Sequence, residues 1–294
     1  MQLAELNRRI SRLRFGRDQA EPMSVDSRNM AFPGVVEPPD RELATPASAP
    51  VEPRPGDPAE SGPQWDREIA ASRAAVQLIL EASSEQLASR DFLLAAVRHM
   101  GIPFNTWPGF ACFQDYMNST RIGLIQIPTE YVDFLLALRR YELATFCEVG
   151  VNTGSFSVLT AAYLLRTSGL REYHCVDVAD SFVDRAHFTS VLPLHLHVPA
   201  NSADFAGRAF DGVFIDGDHS YHWVKMDFLN IGGAARVCAL HDIKATEYNG
   251  LDGGVVRYWA ELRQTYRAQC GILEISHASP DWMGIGVMLL GGTR

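Results

Sequence analysis

From Leu143 to the C-terminus the chain alternates between two hydrophobic rhythms. Short apolar runs give way to longer segments whose apolar positions recur every three or four residues, as strands alternating with helices do. The runs predict strands near 145–150, 172–177, 193–198, 211–216, 235–240, 271–277 and 284–290. Helices are expected at about 154–166, 181–191, 219–230 and 252–267. Successive β-α units of this kind build a mainly parallel, doubly wound α/β sheet. The last two strands lie only a few residues apart, around Ser279-Pro280-Asp281, and read as an antiparallel hairpin at one edge.

Upstream the pattern is helical. Ile69, Val76, Ile79 and Leu80 share one face, with the small Ser72 between the first two, and Leu87, Phe92, Leu93 and Val97 suggest a second helix ended by Gly101-Ile102-Pro103. Residues 103–127 are aromatic- and Gly-rich without a clear period and read as a loop with short elements. A further helix is expected at about 128–142, with Pro128 in its first turn and Arg139-Arg140 at its end. Residues 65–142 thus form an N-terminal helical cap region, and 143–294 the sheet domain. Before the cap, ten of the sixteen prolines fall between Pro22 and Pro63 in an Ala/Glu/Ser-rich stretch, so 18–64 read as a disordered linker. In residues 1–17, Leu3, Leu6, Ile10 and Leu13 outline a short basic amphipathic helix, either unpartnered or serving self-association, docking or membrane-surface contact.

Charge sharpens this division. Residues 1–17 carry five Arg against Glu5, whereas 18–64 carry nine acids against three Arg. The formal net charge of −9 lies on an acidic main body, which repels phosphate backbones and argues against a nucleic-acid partner. No stretch is long and apolar enough for a transmembrane segment, and the Arg-scattered N-terminus builds no secretory h-region. Five widely spaced cysteines without a C-x-x-C argue against a disulfide framework or zinc site and for a reducing, cytoplasmic location.

The chemistry-bearing residues cluster where strands end. Glu148-x-Gly150-x-x-x-Gly154 closes the first strand of the domain and opens a helix, at the sheet edge where nucleotides bind. Its spacing is not the G-x-G-x-x-G of dinucleotide enzymes, and no phosphate-loop Lys follows. The next strand ends in Asp177, placed as an acid that binds a ribose diol is placed; Asp180 lies close enough to substitute. Phe214-Ile215-Asp216-Gly217-Asp218-His219-Ser220-Tyr221 delivers carboxylates and an imidazole to a third strand end, and the following strand ends in His241-Asp242. Neighbouring parallel strands lie about 4.8 Å apart, so Asp216 and Asp242 can converge on one divalent cation of the Mg²⁺ or Mn²⁺ kind. His219, titrating near neutrality, is the candidate base.

Together these motifs, with Gly253-Gly254-Val255, Tyr258-Trp259 and Gln126-Ile127-Pro128 ahead of Glu130, resemble class I S-adenosylmethionine-dependent methyltransferases. The resemblance is narrowest to the branch containing macrocin-type macrolide-sugar O-methyltransferases and cephalosporin-biosynthesis methyltransferase-like proteins. It covers about 123–294 and implies a Rossmann-like seven-stranded fold with an S-adenosylmethionine-binding domain at 143–294. It implies that Glu148, Gly150 and Gly154 line the methionine and ribose end of S-adenosyl-L-methionine, that Asp177 binds the ribose hydroxyls, and that Asn201 and Ser202 lie beside the adenine. Asp216 and Asp242 would hold the metal, with His219 as general base. Metal-dependent relatives often carry another acid or Asn beside the second metal aspartate, where this chain has His241 and Ile243. Either His241 is a ligand, or the cation is weaker or absent.

The implied reaction is metal-assisted O-methylation of a sugar-like hydroxyl in a glycan or secondary metabolite. The aromatic segment 103–122, with Phe104, Trp107, Phe110, Phe113 and Tyr116, is either a lid over the acceptor or ordinary packing. Two rivals have different signatures: a catalytically degenerate methyltransferase-fold scaffold would bind the donor without turnover. An NAD-dependent oxidoreductase would leave the Asp216/Asp242 pair unexplained.

Overall fold

Three helices open the described part of the chain in the computed structural model, in which residues 62–103, 108–119, 122–277 and 282–290 are described. These are α1 (Pro63–Glu81), α2 (Ser84–Leu87) and α3 (Arg90–Met100). Local chemistry sets their starts. Proline opens α1, a reciprocal Ser83/Gln86 capping box opens α2, and the Ser89 hydroxyl accepts from the Phe92 N–H at α3. The helix therefore takes in Pro63 and Gln64, the end of the expected linker. The expected helix at 1–17 and the rest of that linker lie outside the described residues.

The aromatic segment forms β1 (Ile102–Pro103), a 3-10 stretch (Pro108–Tyr116) and β2 (Met117–Ser119), the two strands pairing in parallel. Phe110 and Tyr116 are buried in the core, and Phe110 meets Trp282 edge-to-face at 5.0 Å. Of the two readings for this segment, these side chains fit packing; Phe104 and Trp107 lie outside the described residues.

Then follow α4 (Pro128–Leu138), β3 (Thr145–Val149), α5 (Ser155–Thr167), β4 (Glu172–Val176), α6 (Arg185–Val191), β5 (Leu194–His197) and β6 (Gly212–Ile215). The chain continues through α7 (Tyr221–Asn230), β7 (Val237–Leu240), α8 (Gly254–Tyr266), β8 (Gly271–Ile275) and β9 (Ile285–Leu289). Every expected strand of the sheet is present. The helix expected from 181 begins at Arg185, because Asp184 takes a left-handed backbone (φ 55°) and pairs its carboxylate with Arg73 on α1.

The seven strands are ordered β5-β4-β3-β6-β7-β9-β8, an α/β sheet with parallel pairing up to β7 and antiparallel pairing at β7/β9 and β8/β9. The order reverses at β3, whose two neighbours are reached by crossovers on opposite sides, so a crevice opens at the carboxyl ends of β3 and β6. β9 lies inside β8, as its uniformly apolar Ile285-Gly286-Val287-Met288 run requires; Glu274 marks β8 as the edge.

One core layer joins α1, α3, α4 and α5 to the sheet. Phe156 stacks on Phe214 at 4.2 Å, and Phe134 and Tyr131 extend the cluster, each such contact contributing about 0.5–1.5 kcal/mol beyond area burial. The cap is hydrogen-bonded to α5: Tyr163 donates to the Leu87 carbonyl and Arg166 to that of Ala82. A second layer packs α7 and α8 on the opposite face. Among the described residues no helix is long and apolar enough to cross a membrane.

Candidate functional site

Four strand ends meet in the crevice because the parallel ladder carries the backbone across it. The Gly150 N–H donates to the Val176 carbonyl, Asp216 N–H to Val149 and His241 N–H to Ile215. Gly150 has φ 86°, and a Cβ there would lie 2.1 Å from the Asp216 carbonyl oxygen. Its left-handed turn therefore fits directly against the strand end that presents Asp216. Gly154 (φ 86°) opens α5, and a Cβ there would run into the Phe182 ring at 2.4 Å. Glycine is demanded at both places by close packing within the chain.

Asp177, half-buried, accepts from the Val151 and Asn152 N–H groups at 2.7 and 2.9 Å through Oδ2, and from Ala179 N–H through Oδ1. It shapes the glycine turn while presenting its remaining lone-pair capacity at the mouth of the crevice. Glu148 lies beneath the turn. It is 1% exposed, accepts from the Tyr173 hydroxyl at 2.7 Å, and burial pushes its carboxyl up to about 8 against the opposing influence of the Ser157 and Tyr173 hydroxyls. It supports the turn from below.

Asn201 caps a short 3-10 turn (Ser202–Phe205) after β5, accepting from Ala203 N–H. Ser202 is buried; it donates to Asp227 at 2.6 Å and accepts from Asn230, both on α7. Burial raises the Asp227 carboxyl to about 6. Asn201 is exposed, whereas the Ser202 hydroxyl is committed to α7.

Asp216, His219, His241 and Asp242 are brought together. His219 Nε2 lies 2.9 Å from Asp242 Oδ2 and 3.7 Å from Asp216 Oδ1; His241 Nδ1 lies 3.2 Å from Asp216 Oδ1 and 3.4 Å from Asp242 Oδ1. Asp242 takes φ 59°, a left-handed conformation that Asp tolerates and that turns its carboxylate toward both rings. Burial alone would lower the His219 pKa, but hydrogen bonds to Asp216 and Asp242 outweigh it and raise the ring to about 9. His241, more deeply buried, is also held well above the ordinary value by those carboxylates, and Asp216 and Asp242 are both pulled down despite their burial.

The donor atoms of Asp216, His219 and Asp242 lie within 4.8 Å of one another, a spacing that fits a divalent cation. His241 Nε2 is buried without a hydrogen-bond partner, so this ring has spare capacity toward a ligand.

Two residues of the site carry no strong sequence signal. Gln126 donates to Asp216 Oδ2 at 2.7 Å, its Oε1 buried and unpartnered. Tyr248 stacks on the His219 ring at 4.1 Å with planes 8° apart. The Gln126-Ile127-Pro128 run hinted at the first; Tyr248 sits in a short 3-10 turn (Thr246–Gly250) between β7 and α8.

Residues 147–239 match a family profile described as a methyltransferase domain. No curated protein matches the chain in sequence. Among solved structures, similarity extends to the O-methyltransferase TomG from Streptomyces achromogenes, involved in tomaymycin synthesis and solved with SAM. It is 15% identical, with 79% of this chain and 100% of that one covered and a TM-score of 0.44. An O-methyltransferase from Bacillus cereus in complex with SAH is 13% identical, covering 75% and 97%, with a TM-score of 0.42. The SAH-bound Podospora anserina methyltransferase PaMTH1 is 12% identical, covering 75% and 95%, with a TM-score of 0.44.

Proposed function

We propose that this protein is an S-adenosylmethionine-dependent methyltransferase acting on a hydroxyl, most consistent with a sugar-like acceptor and a divalent cation as assistant. The observation that carries the reading is the span of the methyltransferase-domain match. It begins in β3 and ends in β7, framing the strand ends at which Gly150, Gly154, Asp177 and Asp216 converge. The donor would lie over the glycine turn, with the N-terminus of α5 facing its methionine carboxylate and Asp177 its ribose. Asn201, exposed after β5, is the residue available to the adenine.

When bound, S-adenosylmethionine would supply an electrophilic methyl group on sulfur, and a divalent cation held by Asp216, Asp242 and His241 would supply charge that acidifies a hydroxyl. His219 would take the proton of the acceptor hydroxyl as its oxygen attacks the methyl carbon and the carbon–sulfur bond breaks. Asp242 holds Nε2–H at 2.9 Å, which leaves Nδ1 as the accepting nitrogen. His219 gains basic character once its two carboxylates are neutralised. Tyr248 fixes the plane of the ring, and Gln126 fixes Asp216.

Transfer of labelled methyl from S-adenosylmethionine to a panel of hydroxylated sugars, with and without EDTA, tests this. Asp216→Asn and Asp242→Asn should lose turnover and cation dependence yet retain the donor. His219→Ala should slow turnover by about 10²–10⁴-fold, with partial recovery at higher pH. Full activity in EDTA, or an active His219→Ala protein with an unchanged pH profile, would refute the cation-and-base mechanism. Donor binding without turnover on any acceptor would favour a scaffold.

A further inference from the structure

A second cluster of imidazoles lies away from the crevice, on the β4/β5 side of the sheet. Glu172 and His174 of β4 and His195 of β5 bring donor atoms within 4.8 Å of one another. His174 and His195 are direct register partners across the parallel ladder, and their rings stack at 4.8 Å with planes 13° apart. His197, two residues on, stacks on the same ring at 5.2 Å.

Two groups compete for the His174 ring nitrogen Nε2. Arg208 Nη2, which can only donate, lies 2.9 Å from His174 Nε2 and selects the tautomer with the lone pair there and the hydrogen on Nδ1, whereas Glu172 Oε2, 3.1 Å from the same nitrogen, selects the reverse. In the first of these, Nδ1–H donates to His197 Nε2 at 2.9 Å. A ring whose far N–H is held by a neighbour while its Nε2 lone pair points outward is oriented as metal-bound histidines are. The same Arg208 nitrogen lies 2.9 Å from Glu172 Oε2, itself 3.1 Å from His174 Nε2. In the tautomer that Arg208 selects, carboxylate and imidazole lone pairs converge on one point, taken by a guanidinium N–H. His195 and Glu172 face solvent, giving that point an entry path, and Arg208 has an alternative rest over the Phe210 ring, already 5.0 Å away.

We propose that Glu172, His174 and His195 form a site for a transition-metal ion of the Zn²⁺ class, with His197 orienting His174 and Arg208 as an internal cation that the metal displaces. Two imidazoles and one carboxylate are a borderline-soft donor set that suits Zn²⁺ or Ni²⁺ better than Mg²⁺. The exposed His195 ring closes the remaining gap by rotation. The site is separate from the crevice, because its residues lie along β4 and β5 before the strand ends, whereas Asp216 and Asp242 follow β6 and β7.

The test is calorimetric titration of ZnCl₂ into the full chain carrying Asp216→Asn and Asp242→Asn, which disables the crevice cluster. On that background one Zn²⁺ should bind. His195→Ala, an exposed change that leaves the buried His174 in place, should weaken it at least ten-fold. Arg208→Ala should tighten it at least ten-fold by removing the competing cation. Melting curves without metal verify that both variants are folded, and a Zn²⁺-induced rise in melting temperature should follow the same order. Absence of Zn²⁺ binding on the Asn background, or isotherms unchanged by both substitutions, would overturn the proposal.

Discussion

At the level of single residues, the glycine turn links fold and site more tightly than its spacing suggests. The sequence marks Gly150 and Gly154 as places where a ligand approaches. In the structure their missing side chains make room for the Asp216 carbonyl and the Phe182 ring. Gly150→Val must therefore shift the β6 end as well as the turn. It should lower stability by about 1–3 kcal/mol and weaken donor binding with it, which paired melting and titration measurements would register. A variant that melts like wild type would contradict the packing described here. Glu148, expected to line the donor, is 1% exposed and accepts from the Tyr173 hydroxyl beneath the turn. The Asp216/Asp242 convergence was legible because parallel neighbours put equivalent strand ends one spacing apart. Tyr248 was not, since a stacking partner contributed by a single 3-10 turn leaves no period to read.

At the level of elements, strand positions were legible from apolar runs alone, and helix starts were less so. The apolar period cannot reveal that Asp184 adopts a left-handed backbone to meet Arg73, which moves the start of α6. Nor did the reading assign the inner strand of the hairpin, although Glu274 in β8 against the all-apolar β9 holds that information. Helix α7 carries a pH-dependent liability of its own. Asp227, buried and near the Asp218 charge, titrates at about 6 in the fold against an ordinary value near 3.8. A carboxyl raised on folding favours the fold while protonated, so its contribution is full below pH 3.8 and lost as pH rises through 6. Asp227→Asn keeps an acceptor for the Ser202 hydroxyl and removes that loss. It should stabilise the protein by about 1–3 kcal/mol at pH 8, with the gain vanishing near pH 4. Denaturant melts at the two pH values decide this; a gain of equal size at both would show that the charge is not its source.

At the level of the whole molecule, the residues of the proposed site lie in the sheet domain and the cap that packs on α5, within the unit Arg54–Arg294. The Pro-rich acidic composition of 18–64 supplies few groups suited to a packed site. A shortened chain beginning at Arg54 should keep its melting temperature and its turnover on a soluble acceptor. Loss of turnover with an unchanged melting curve would show that the removed residues complete the site.

The central claim, a donor site at the carboxyl ends of β3 and β4, is tested most directly without knowing the acceptor. S-adenosylmethionine is titrated by calorimetry into the wild-type protein and Asp177→Ala, with NAD as control. Gly150→Val is unsuited to this purpose because it also disturbs the fold. The wild type should bind S-adenosylmethionine and give no heat with NAD, and Asp177→Ala should bind about ten-fold or more weakly, as loss of a charged hydrogen-bond acceptor predicts. No heat with S-adenosylmethionine, or equal affinity in the two proteins, would contradict the account.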